Sequence, residues 1–258
     1  MTRAFPRATA VVFLAVAAVL WTSPATESSA GTQEIAPEAG SIVQPASGAL
    51  SGYDILDDLG AVYTKNSPWY GSLLTQNLSA PIVSMAIRPK KNQKGYWLVN
   101  NAGSVFSFGG AKYWGSTSGI SLTKSITGIA PTATGKGYWL VGGDGGIFAF
   151  GDASYYGSTG GLHLTKRIVD IASTPDGLGY WLVARDGGIF AFGDAPFYGS
   201  TGALHLNQPI VGMSSTSTGR GYRFVASDGG IFSFGDAAFL GSTGGMALAH
   251  PVVGLIGA

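Results

Sequence analysis

A Gly-Tyr-Trp triplet recurs in this chain every 42 residues, and this period limits the possible folds more than any other feature. Four copies, the last with arginine in place of tryptophan, begin at Gly95, Gly137, Gly179 and Gly221. A degenerate fifth copy begins at Gly52, 43 residues before Gly95. Residues 137–178 and 179–220 agree at 28 of 42 positions. Such self-similarity indicates a single structural unit copied along the chain.

Each unit contains four short apolar segments separated by turn residues. In the third full unit we predict strands over 167–172, 180–184, 188–192 and 197–200. The Asp-Gly-Gly sequence at 186–188 favours a tight hairpin, because glycine readily adopts the positive φ angles of that turn. Four strands in about 42 residues are typical of one blade of a β-propeller.

The two ends of the repeat region complement each other. The first unit begins at its second strand, 52–56, and the chain ends in a surplus first strand, 251–256. Both faces of segments such as 138–141 are apolar, as expected for sheets packed between two neighbours. We therefore predict an all-β fold over 52–258: a five-bladed β-propeller with four strands per blade. The C-terminal strand would complete blade one and close the ring, which leaves no open edge.

The N-terminal 30 residues are predicted to be a secretory signal peptide. Arg3 and Arg7 precede an uncharged apolar run over 10–21, and small residues follow, so cleavage is expected after Ala25 or Ala30. Twelve residues give a helix of about 18 Å, too short for a bilayer core of about 30 Å. We expect a secreted protein without membrane insertion, in which residues 31–51, rich in Ala, Ser, Gly and Pro, form a flexible linker.

Charge and cysteine content exclude several functions. Residues 31–258 contain 13 basic and 13 acidic side chains, so the predicted mature chain is neutral and has no electrostatic reason to bind nucleic acid. The chain has no cysteine, which excludes disulfides and thiolate metal sites. No cofactor is expected.

The repeated motifs resemble those of secreted actinobacterial tandem-repeat proteins, whose copies contain Gly-Tyr-Trp-Leu-Val, Asp-Gly-Gly-Ile-Phe and Phe-Gly-Asp-Ala. The match is close over 95–258 and loose over 52–94. The resemblance implies a propeller-like repeat and export. In that family the repeats often accompany hydrolase or cell-wall domains, and neither kind of domain fits in this chain. The family has no agreed catalytic residues, so none is transferred.

The sequence shows no catalytic or metal-binding constellation. Two sets of aspartates recur with the repeat and are interpreted as turn residues: Asp144, Asp186 and Asp228, and Asp152, Asp194 and Asp236. Three others, Asp57, Asp58 and Asp170, stand outside the repeat but belong to no recognisable motif. His163 and His205 are equivalent in two units but lack a third histidine in register, so no zinc site is predicted.

Positions at which the units differ are the candidates for ligand binding. They lie before the Asp-Gly-Gly turn and in the loop to the next blade, which the predicted strand order places on one rim. The alternative is that exposed residues simply drift. The candidate residues are Arg185, His163, His205, Lys166, Arg167, Asn100, Asn101, Asp57 and Asp58.

The sequence favours a monomeric, non-catalytic binding or structural module over an enzyme. Its ligand would be a cell-envelope glycan or a protein partner. The alternative is a propeller hydrolase, a glycosidase or lactonase, with carboxylates near the central channel. The two differ in one feature, because an enzyme needs acid and base groups that stand outside the repeat.

Overall fold

The structure is a computed structural model that describes residues 41–43, 53–65, 68–89, 94–248 and 251–255. These ranges contain fifteen strands: β1 (Ser41–Val43), β2 (Tyr53–Asp57), β3 (Val62–Lys65), β4 (Ile82–Ile87), β5 (Gly95–Asn100), β6 (Val105–Gly109), β7 (Ile126–Pro131), β8 (Gly137–Gly142), β9 (Ile147–Gly151), β10 (Ile168–Ser173), β11 (Gly179–Ala184), β12 (Ile189–Gly193), β13 (Ile210–Ser215), β14 (Gly221–Ala226) and β15 (Ile231–Gly235). The predicted signal peptide lies outside the described residues, and so does the predicted linker except for β1.

The strands form five antiparallel sheets of three, each built from consecutive strands. We number them sheet one (β1–β3) to sheet five (β13–β15). The first strands of sheets two to five, β4, β7, β10 and β13, contact one another in order. This is how the inner strands of neighbouring propeller blades are arranged. The predicted all-β class is therefore confirmed. No helix in the described part of the chain is long and apolar enough to cross a bilayer.

The repeated Asp-Gly-Gly turns join the second and third strands, as predicted. Gly187 has a φ of 79°, and the backbone N–H of Gly188 donates a hydrogen bond to Asp186 Oδ1 at 3.0 Å. The same bond joins Gly146 to Asp144 and Gly230 to Asp228. These aspartates are turn residues, because each carboxylate bonds the backbone of its own turn.

The predicted fourth strand of each blade is not a strand. Residues 197–200 have no ladder partner and are irregular in the structure. Gly199 has a φ of 135°, which is outside the strand region and interrupts regular pairing. The segment is apolar, as the sequence shows, but hydrogen bonds from side chains hold it in place instead of a backbone ladder.

Two aromatic side chains replace the missing ladder, one from each side. Trp181, on β11, donates its indole N–H to the carbonyl of Pro196 at 2.7 Å. Tyr222, on the neighbouring sheet, accepts from the N–H of Tyr198 at 3.0 Å and donates to the carbonyl of Gly199 at 2.7 Å. Equivalent bonds hold the outer segments of sheets two and three. The outer segment therefore connects its own sheet to the next one.

The core lies between the sheets. The second strands β5, β8 and β11 are buried along their whole length, which confirms the prediction that both faces of these segments are covered. Trp139 of sheet three and Tyr180 of sheet four are fully buried, and their ring centroids are 5.5 Å apart. Aromatic pairs at such distances add stability beyond the area that they bury.

The first sheet and the chain terminus differ from the prediction. The strand that pairs with β2 is β1, with Ser41 opposite Asp57, and not the C-terminal segment. β1 lies within the range predicted as linker, but its Ile-Val sequence has high β-propensity. Leu255 forms a single bridge, and its backbone nitrogen lies beside Gly212 of β13. Within the described residues the sheets do not close into a ring through a ladder between sheet one and the C-terminal segment.

Candidate binding cavity

A cavity of about 680 Å³ lies where the first strands meet, and we call it the central cavity. Its walls are formed by residues of β4, β7, β10 and β13 together with the segment 251–255. Its size is that of a site for a small molecule or a short oligomer, since such pockets span about 300–1,000 Å³.

A β-bulge recurs in the first strands and shapes the wall. In sheet four, Ile168 pairs with Ala184 but Asp170 pairs with Val183, so Val169 is an extra residue in its strand. The same register shift occurs in β4, β7 and β13. Bulges are common next to functional sites, because they redirect side chains. The extra residues all line the central cavity: Val83, Thr127, Val169 and Val211.

Polar side chains surround one end of the cavity. They lie just after the second strands or just before the first strands of the sheets: Asp58, Asn101, Ser125, Arg167, Arg185, Gln208 and Ser227. Arg167 and Arg185 both belong to sheet four, where the backbone N–H of Arg185 donates to the carbonyl of Arg167 at 2.9 Å. The cavity thus combines apolar walls with a polar mouth.

Asp170 contributes a carboxyl group to the cavity wall. It accepts hydrogen bonds from the N–H groups of Ile171 and Met213, each at 2.9 Å. Met213 is on the first strand of sheet five, so this carboxyl group connects two sheets. Burial raises the pKa of Asp170 to about 7, although both backbone hydrogen bonds act in the opposite direction. Its Oδ1 lies 2.8 Å from the point that a Cβ would occupy on Gly128 of the preceding sheet.

The structure brings together four of the nine predicted site residues. Arg185, Arg167, Asn101 and Asp58 line the central cavity. Asp58, Asn101 and Arg185 follow the second strand of their sheets and Arg167 precedes a first strand, so the shared geometry places all four at the mouth. These four residues lie around one cavity, and their role in binding stays a prediction.

The other five predicted residues are not placed in the cavity wall. Lys166, His163 and His205 are exposed at the surface outside the wall. Asn100 is buried, and its Oδ1 accepts a hydrogen bond from the backbone of Ser104 at 2.7 Å, so it stabilises a turn. The side chain of Asp57 lies outside the described part of the chain.

Sequence reasoning missed several lining residues. No sequence signal identified three of them, because a serine or glutamine in a loop belongs to no motif: Ser125, Gln208 and Ser227. Asp170 was noted as standing outside the repeat but was not included among the site residues. Its position in the repeat could have indicated it, because the equivalent first-strand residues of the other units are serine or glycine. Asp170 therefore places a carboxylate where the other units have a small residue, at the hub, which is the region where the first strands meet.

A pair of carboxyl groups lies elsewhere in sheet four: Asp176 is in the turn between the first and second strands, and Asp194 directly follows the third strand. Asp194 has a raised pKa, caused by burial and then by the hydrogen bond and charge of Asp176. A hydrogen bond from Thr174 is the main cause of the lowered pKa of Asp176. In sheet three, Thr134 stands in place of Asp176 and donates to Asp152. This pair does not line the central cavity. No group of three or more potential metal-binding His, Cys, Asp or Glu side chains occurs in the residues that the structure describes.

No protein-family model and no curated protein matches this sequence. Among solved structures, the β-propeller domain of Cps50 (Swd1) from Myceliophteria thermophila is similar to this chain with 10% identity and a TM-score of 0.49, over 87% of this chain and 77% of that one. YCF48 from Cyanidioschyzon merolae is similar with 13% identity and a TM-score of 0.43, over 72% of this chain and 66% of that one. Likenesses at this level carry no argument about function.

Proposed function

We propose that this chain is a secreted, non-catalytic β-propeller module that binds a cell-envelope glycan in the central cavity. The observation that carries the proposal is the cavity itself, with apolar walls, a ring of neutral and charged polar groups at its mouth, and residues from at least four sheets. Clefts of this size with a few convergent polar groups are the usual ligand sites of proteins.

The proposal includes the five-bladed ring predicted from the sequence, closed at the centre by the C-terminal segment. Its support is that the segment 251–255 lines the central cavity together with β4, β7, β10 and β13, and so supplies a fifth wall. A ligand bound there would contact parts of the chain that are up to about two hundred residues apart in sequence. Binding would then stabilise the folded arrangement of the sheets by mass action.

A hydrolase is less well supported by the same cavity. Asp58 and Asp170 line it, but Asp170 already accepts two backbone hydrogen bonds and joins two sheets. Glycoside hydrolysis needs two carboxyl groups that both face the substrate. The role that fits Asp170 best is therefore structural.

The proposal is tested with a glycan array and a matched pair of substitutions. Ser125 is exposed and lines the cavity, whereas Ser154 is exposed on an outer segment away from it. We expect Ser125→Trp to reduce binding of any glycan ligand at least tenfold, because the indole fills the mouth, and Ser154→Trp to leave it unchanged. Equal effects of the two substitutions, or binding only of a protein partner, would contradict the glycan proposal.

A further inference from the structure

The two arginines at the mouth of the central cavity lack partners. Within the described part of the chain, neither Arg167 nor Arg185 makes a side-chain hydrogen bond or an ion pair. The pKa of Asp170 responds to burial and to two backbone N–H groups but to neither arginine, so that carboxyl group does not neutralise them. The cavity therefore has two guanidinium groups available to a ligand.

Two other arginines in the described part of the chain are used differently. Arg88 donates to the carbonyls of Gly110 and Gly135, and Arg223 donates to the carbonyl of Ala238. These side chains bind the backbone of their own fold. Arg167 and Arg185 stand apart because they lie side by side on one sheet and make no such bond.

We propose that the ligand of the central cavity is a sugar that carries a carboxylate, held by Arg167 and Arg185. This inference rests on the proposed glycan-binding function and names its ligand class. A guanidinium presents a planar fork of N–H donors that matches the two oxygens of a carboxylate. Two such groups at neighbouring ends of adjacent strands, Arg167 before β10 and Arg185 after β11, define the side of the cavity on which the acid group binds.

The rest of the lining suits the body of a sugar. Asn101, Ser125, Gln208 and Ser227 offer amide and hydroxyl groups, which can both donate to and accept from sugar hydroxyls. The bulged valines give an apolar wall for the C–H face of the ring. A free peptide C-terminus would also provide a carboxylate. It would, however, leave most of these neutral groups without partners.

The test compares two ligands that differ only in the acid group. Binding of methyl β-D-glucuronide and methyl β-D-glucoside to the whole protein is measured by calorimetry, with acetyl-diglycine as the peptide carboxylate. We expect the glucuronide to bind at least tenfold more tightly than the glucoside and the peptide. Raising the salt concentration should weaken glucuronide binding, because screening reduces charge pairing at an open site.

Variants assign the effect to the arginines. The double variant R167Q/R185Q should lose the preference for the glucuronide, and R167K/R185K should keep only part of it, since lysine retains the charge but not the fork. Lys166→Gln is the matched control, because Lys166 is an exposed cation next to Arg167 that does not line the cavity. It should leave the preference unchanged.

The outcomes separate this inference from the proposed function. Failure of the glucuronide to bind at millimolar concentration, equal binding of the two sugars, or a preference that survives R167Q/R185Q would overturn the inference. Binding of neutral glycans that Ser125→Trp abolishes would still support the function. Stronger binding of the peptide carboxylate would replace the sugar by a protein C-terminus.

Discussion

The interface between sheets three and four, which we call the seam, differs from the side of sheet five that no described sheet covers, which we call the free side. Both are built from the same repeat. At the seam, the buried indole of Trp139 packs on the ring of Tyr180, and Tyr156 of the outer segment is partly buried against the same core. On the free side, Arg223 replaces the tryptophan and Leu240 is 75% exposed. No described sheet covers it.

One interaction nevertheless survives on the free side. Trp139 donates its indole N–H to the carbonyl of Ser154 at 2.7 Å, and Arg223 donates Nε–H to the equivalent carbonyl of Ala238 at 2.9 Å. The bond within a sheet is therefore kept without a neighbour, whereas the aromatic packing is lost. The repeat encodes two separable interactions: one holds a sheet together, and the other joins it to the next.

Truncating the equivalent side chains of Trp139 and Arg223 should separate the packing between sheets from the hydrogen bond within a sheet most clearly. We expect Trp139→Ala to lower the free energy of unfolding by about 3–5 kcal/mol, because it opens a cavity at a seam. Arg223→Ala should cost about 1 kcal/mol, the net value of one hydrogen bond. Denaturant unfolding measures both. Similar costs for the two variants would mean that Arg223 is packed as tightly as the tryptophan.

The hub of the molecule provides a second test, through pH. The pKa of Asp170 is raised to about 7 from a model-compound value of 3.8, so the folded protein keeps this proton when the unfolded chain has lost it. The contribution of Asp170 to stability should therefore fall between about pH 4 and pH 7 and be constant outside that window. The fall is at most about 4 kcal/mol, at 1.36 kcal/mol per pKa unit.

Asp170→Asn should remove this dependence, since the amide does not titrate. Asp236→Asn is a control of opposite sign, because hydrogen bonds from Thr218 and Thr216 lower the pKa of Asp236. That variant should lose some stability at neutral pH and little at low pH. Urea unfolding at pH 4, 5.5 and 7.5 distinguishes the variants. A wild-type slope that persists in Asp170→Asn would assign the titration to another group.

Two glycines at equivalent positions test whether a sheet covers the free side. Gly157 and Gly241 both have positive φ angles, 135° and 113°, so alanine is strained at either. A Cβ on Gly157 would lie 2.5 Å from Phe192 of the next sheet, whereas a Cβ on Gly241 has no atom within 4 Å. We expect Gly157→Ala to cost about 1–3 kcal/mol more than Gly241→Ala in thermal or denaturant unfolding. Equal costs would show that a neighbouring aromatic also packs on Gly241.

The sequence predicts the individual sheets better than it predicts the contacts between neighbouring sheets. The turns at Asp186 and its equivalents and the burial on both faces of β8 follow from local patterns, and the structure confirms them. The irregular segment 197–200 could not be predicted, because its hydrogen bonds come from Trp181 and Tyr222, which are distant in sequence. Apolar content alone does not distinguish a strand from a segment held by side chains.

The predicted residues line the central cavity only where variation between units coincided with the geometry of the strand ends. Arg185 and Asn101 were found because they stand before a turn whose direction the repeat fixes. His163 and His205 also stand where the units vary, but they come earlier in their loops than Arg167 and Gln208 and lie outside the cavity wall. Predicting that Asp170 lines the cavity would have required knowing which first-strand residues meet at the hub. That depends on packing between sheets rather than on the local sequence.

The smallest expected effect concerns Leu240. Its equivalents Tyr156 and Tyr198 donate their hydroxyl hydrogens to Gly177 and Gly219 on the next sheet, at 3.0 and 3.1 Å. Leu240→Tyr therefore introduces the residue that sheets three and four have at this position. With no sheet beside it, the new hydroxyl finds no partner, and we expect stability to change by less than about 0.5 kcal/mol.

The matched variant Tyr198→Leu removes an existing bond and should cost about 0.5–1.5 kcal/mol. Chemical denaturation of both proteins under the same conditions gives the comparison. If Leu240→Tyr stabilises the protein by about 1 kcal/mol, the restored tyrosine has reached a partner on another sheet. That result would place a sheet against the outer segment of sheet five, as in a ring closed at its rim as well as at its hub. A neutral result would mean that the C-terminal segment packs only at the hub, where it lines the central cavity.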